Sequence, residues 1–124
     1  MRKILVSVLG LTLFLAAVPA SADVGSSIAI HPHVGTATYK KPFHDIRGRV
    51  GIANMTGKTV TVRCTVIATL PSKSGSDQME GSAIVSVPVM AEQARSPHYE
   101  IILRDEHHKF RNSPSDLVAH CNVV

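Results

Sequence analysis

The chain reads as an all-β protein, a two-layer antiparallel sandwich of six or seven short strands closed by one disulfide. Three observations carry this: apolar and polar residues alternate with period two through most of its length, no stretch has convincing helical periodicity, and the two cysteines both fall on apolar parities. A small barrel is the alternative closure of the same strands.

The clearest strand runs from Thr59 to Leu70, where Val60, Val62, Cys64, Val66, Ala68 and Leu70 share one parity and Thr59, Thr61, Arg63, Thr65, Ile67 and Thr69 share the other. One face is apolar and the other threonine-rich, as a half-buried strand requires. Upstream, Ile46, Gly48, Val50 and Ile52 alternate with Arg47, Arg49, Gly51 and Ala53, and the run ends at Asn54-Met55-Thr56-Gly57-Lys58. That polar segment predicts a hairpin, with Gly57 at positive φ and antiparallel pairing of 46–54 with 59–70. Ala83, Val85, Val87 and Val89 form the apolar face of a further strand, and Pro88 on the other parity places it at a sheet edge. Tyr99, Ile101 and Leu103 mark another inner face, and Leu117, Ala119, Cys121 and Val123 the last. Before residue 46, Ile28 and Ile30, then Pro32 and Gly35, then Thr36 to Tyr39 predict one kinked strand or two short edge strands. Residues 71–77 and 104–116 are polar loops.

The first 22 residues have the organisation of an export signal. Arg2 and Lys3 give a basic start, Ile4 to Val18 an apolar core, and Pro19-Ala20-Ser21-Ala22 a small-residue cleavage pattern. A spanning helix needs about 20 apolar residues, more than this core supplies before Pro19. The expected product is therefore a single soluble domain, 23–124, in the periplasm or secreted, with no membrane insertion after cleavage. In such an oxidising compartment Cys64 and Cys121, the only cysteines, are expected to pair.

Charge narrows the function classes. The 13 basic and 9 acidic side chains give +4 for the whole chain; without Arg2 and Lys3, 11 basic residues remain, scattered from Lys40 to Arg111. With no Trp and few other aromatics for base stacking, nucleic-acid binding is excluded. An enzyme is not expected: there is no G-x-S-x-G elbow and no P-loop, and paired cysteines leave no free thiol nucleophile. Ser113, Ser115, Asp116 and His107 share one loop without a catalytic spacing.

Seven histidines stand out: His31, His33, His44, His98, His107, His108 and His120. His31 and His33 project to one face of an extended strand, a spacing suited to copper or zinc capture by imidazole. His107 or His108 would complete a weak divalent-metal site with them; surface polar roles account for the same residues. Asn54-Met55-Thr56 matches a glycosylation acceptor pattern, which turn chemistry explains equally well.

The segment from Ile46 to Lys58, followed by its valine-rich strand, resembles the opening of FxLYD-type and related bacterial extracytoplasmic domains: a glycine-containing strand, an Asn-x-Thr-Gly-Lys turn and a second strand. The aromatic-hydrophobic-Tyr-Asp motif of that family is absent, since the second strand continues as Val66-Ile67-Ala68-Thr69-Leu70. The resemblance implies an immunoglobulin-like sandwich with an accessory or interaction role. The functional expectation is an exported, non-enzymatic domain recognising a protein or envelope component through a sheet edge or the loops at 71–82 and 104–116. Periplasmic copper or zinc binding and inhibition of a secreted hydrolase are the alternatives.

Overall fold

A computed structural model describes residues 27–124, so the expected export signal at 1–22 lies outside the described residues. The described residues form seven strands and no helix: β1 (Ile28–Lys40), β2 (Phe43–Asn54), β3 (Val60–Pro71), β4 (Gln78–Val89), β5 (Ala94–Arg95), β6 (His98–Arg104) and β7 (Asp116–Val123). In one sheet β2 is central, with β1 on one side and β5 and β6 on the other; in the second, β3 is central between β4 and β7. All pairings are antiparallel. The sheets stack with β4 over β6 and β1 over β7. This is the β-sandwich with one disulfide that the alternation predicts.

Ile28, Ile30, Ile46, Val50 and Ile52 from the first sheet meet Val62, Val66, Leu70, Val85, Val87 and Val89 from the second, with Tyr99 and Ile101 from β6. Cys64 and Cys121 stand directly opposite each other on β3 and β7, Cα atoms 4.0 Å apart, and are joined by the disulfide. The bond ties neighbouring strands of one sheet, across 57 residues of sequence. Val123, predicted to face inward, is 43% exposed because it ends an edge strand.

The early region is a single strand with a bulge. Register shifts between Val34 and Thr36, leaving Gly35 as the extra residue. The inward parity changes accordingly, from Ile28 and Ile30 to Ala37 and Tyr39. Tyr99 donates its hydroxyl hydrogen bond to the His33 carbonyl at 2.8 Å, just beside the bulge. Gly48 lies beneath this contact, where a Cβ would come within 1.9 Å of that carbonyl oxygen and 2.7 Å of the Tyr99 hydroxyl.

The predicted hairpin between 46–54 and 59–70 does not form. β2 is already paired on both sides, with β1 along one and with β5 and β6 along the other, so the chain crosses to the second sheet after Asn54. Gly57 is not at positive φ; among the described residues only Gly75, Glu92 and His108 are. The buried Asn54 side chain organises the crossing. Its Oδ1 accepts from the Thr56 amide (2.9 Å) and hydroxyl (2.6 Å), while its Nδ2 donates to the carbonyls of Lys58, Val89 and Met90. Turn chemistry therefore accounts for the Asn-Met-Thr pattern. β2 instead forms a hairpin with β1 through Lys41-Pro42, with Lys40 opposite Phe43.

Candidate functional site

Three connections meet at one end of the sandwich: the β1–β2 turn at 41–42, the β3–β4 turn at 72–77 and the β6–β7 loop at 105–115. The loop at 105–115 is built on Asp105, which is only 5% exposed. Its carboxylate accepts hydrogen bonds from His44 Nε2 at 2.7 Å, the Lys109 amide at 2.8 Å and the Phe110 amide at 3.0 Å. The Asp105 carbonyl accepts the Tyr39 hydroxyl at 2.6 Å and its amide donates to the Pro42 carbonyl at 2.7 Å. Burial alone would raise the Asp105 carboxyl, but the His44 and amide hydrogen bonds outweigh it and hold the group below the usual carboxylate value.

His44 is fully buried, and its Nδ1 has no hydrogen-bond partner. The Nε2–H tautomer fits this arrangement: the ring donates to the carboxylate and leaves only a lone pair unpaired. Tyr39 packs on His44 at 4.7 Å between ring centroids and stacks face to face on His108 at 3.8 Å. His108, at φ 51°, is further held by Asn112 through a 2.8 Å contact between Nε2 and Oδ1. Partial burial and the nearby carboxylates of Asp105 and Glu106 raise the Tyr39 phenol. With its imidazole enclosed, the His44–Asp105 pair acts as an anchor that fixes the loop to the β1–β2 turn.

The remaining loop is knitted to its neighbours by backbone bonds. The Lys73 amide donates to the Lys109 carbonyl (2.8 Å), the Arg111 amide to Pro71 (2.9 Å) and the Ser115 amide to Thr69 (2.9 Å), and Ser72 bridges Phe110. Within 72–77 the Ser72, Ser74 and Ser76 hydroxyls form a chain, and Ser72 Oγ accepts the Asp77 amide. The three connections thus form one continuous surface. Lys40, Lys41, Lys73, Arg104, Lys109 and Arg111 are all exposed there, against the exposed carboxylates of Asp77, Glu106 and Asp116. Arg104 is engaged by Glu106 at 2.6 Å. The other five cations make no salt bridge among the described residues. Basic residues that look scattered along the sequence are therefore gathered by topology.

The histidines of the expected metal site are placed apart. His31 and His33 do share the exposed outer face of β1, opposite Gly51 and Arg49. His107 and His108 belong to the loop beside Tyr39, six residues or about 20 Å farther along the strand from His33. Among the described residues no three His, Cys, Asp or Glu side chains converge to hold a metal ion. His98 sits opposite Arg49 on β6, and His120 opposite Thr65 on β7.

The sequence carries one unused signal for this site. His44 and Asn54 lie on the inward parity of β2 with Ile46, Val50 and Ile52, so each is a polar group that must find a buried partner. Nothing local names Asp105 as that partner. Comparisons of the chain with protein-family models, with curated proteins and with solved structures find no match.

Proposed function

We propose that this chain is an exported, non-enzymatic binding or accessory domain that recognises an envelope component or a protein through the loop end of its sandwich. The observation that carries this reading is the Asp105 anchor. It holds the longest loop in one conformation and knits it to two neighbouring turns, so that a partner meets a surface already ordered. Loops fixed on a rigid scaffold commonly present recognition groups, and prior ordering removes part of the entropy cost of association. The disulfide supports the exported setting, because such bonds persist in oxidising compartments.

Co-purification from the native secretome tests the proposal. A specific partner should be recovered with the exported protein and lost when Lys73, Lys109 and Arg111 are replaced by glutamate. It should be retained when Lys58, Arg63 and Arg95, away from the loop end, are replaced instead. Recovery that is indifferent to the loop-end charges would overturn this assignment.

A further inference from the structure

We infer that the loop end docks on an anionic lipid surface, with Lys40, Lys41, Lys73, Lys109 and Arg111 over the headgroups. The inference rests on the proposed recognition role and names the partner of that same surface. Five exposed cations without a salt-bridge partner among the described residues surround the end, drawn from all three connections. They are spread across both sheets, whose faces lie about 10 Å apart. A single carboxylate or phosphate would be met by converging donors; cations distributed over the end of a sandwich match a broad, flat field of negative charge.

Side-chain chemistry favours the same partner. Four of the five are lysines, whose apolar stems lie along an interface while the ammonium reaches the headgroups. Phe43 is 41% exposed at the same end, with the Arg104 guanidinium 5.6 Å from its ring centroid. An aromatic ring beside basic residues is the combination that peripheral interfacial binding uses. The backbone bonds among the three connections hold these residues together at one end of the sandwich, so that they can act on one surface together.

Each basic residue near an anionic bilayer contributes about fivefold in partitioning, so the five together contribute more than about a hundredfold. The exported protein should co-sediment with vesicles of phosphatidylglycerol and phosphatidylcholine in equal parts, and not with phosphatidylcholine alone. Binding should fall steeply when added salt shortens the Debye length from about 10 Å to about 3 Å. Replacing all five cations by glutamine should reduce partitioning by more than about a hundredfold and leave the urea midpoint unchanged, whereas replacing Lys58, Arg63 and Arg95 should leave partitioning within a few-fold of the parent.

Equal binding to neutral vesicles, or full binding by the five-site variant, would overturn the inference. Immobilised polyglutamate separates the other partner class. Retention on polyglutamate through the same five residues, without vesicle binding, would overturn the lipid assignment and leave loop-end recognition standing. Failure to bind either would overturn the lipid assignment as well, with loop-end recognition then decided by the co-purification experiment.

Discussion

Replacing Asp105 with alanine removes the acceptor shared by the His44 ring and the amides of Lys109 and Phe110. His44 is wholly buried, so its Nε2 would join Nδ1 without a partner. A buried polar group left unpaired costs about 1–3 kcal/mol, and a hydrogen bond to a charged group such as this carboxylate contributes about 1.5–3 kcal/mol. The two loop amides can regain water as the loop loosens, so the expected loss is about 3–5 kcal/mol, a large share of the about 5–15 kcal/mol that holds a typical domain. Asparagine should cost less, about 1–2 kcal/mol: its oxygen still accepts one amide, and its NH₂ can donate to His44 after a tautomer change. Urea unfolding of the three proteins measures both losses. An alanine variant within about 1 kcal/mol of the parent would refute the anchor.

Four further outcomes follow from the same contacts. Because Asp105 titrates below its ordinary value of 3.8, its contribution is present above that pH and lost as pH falls through the lower folded value; Asp105→Asn should flatten this acid limb of a stability–pH profile. Burial pushes the Tyr99 phenol up, so its contribution is present below its ordinary value of 10.0 and lost at higher pH, and Tyr99→Phe should weaken the alkaline limb. Gly48→Ala forces a methyl against the His33 carbonyl and should destabilise by about 3 kcal/mol in denaturant unfolding. Removing the disulfide with Cys64→Ala and Cys121→Ala should cost about 4 kcal/mol, measured against the oxidised parent.

The strands were legible where burial is one-sided. Val62 to Val66 and Val85 to Val89 alternate because each strand has one face on the core, and period two is a local property of the chain. Partner choice is not local. The turn after Asn54 has the composition of a hairpin, yet β2 is paired along one side by β1, which precedes it, and along the other by β5 and β6, which lie far along the chain, and only the fold shows it. The bulge at Gly35 hides in the same way, since it reverses parity within β1 and leaves Val34 and Thr36 without a consistent face.

The candidate site was only half written in the sequence. His44 sits on an apolar parity, which demands a buried partner, but Asp105 lies in a loop with no periodicity to mark it. The pair is 61 residues apart in the chain. Lys40, Lys73 and Arg111 are likewise distant in sequence, and become neighbours because three antiparallel connections share one end of the sandwich. His31 and His33 show the reverse case. Their spacing does put them on one face, while the length of β1 keeps them from His107 and His108.

Native-state amide exchange at Lys109 and Phe110 measures most directly whether the loop end is one pre-ordered surface. If the Asp105 anchor holds it, both amides should exchange nearly as slowly as the β3 amides, through global or near-global opening, and Asp105→Ala should release them selectively. Exchange at the rate of an open loop in the parent protein would contradict the account.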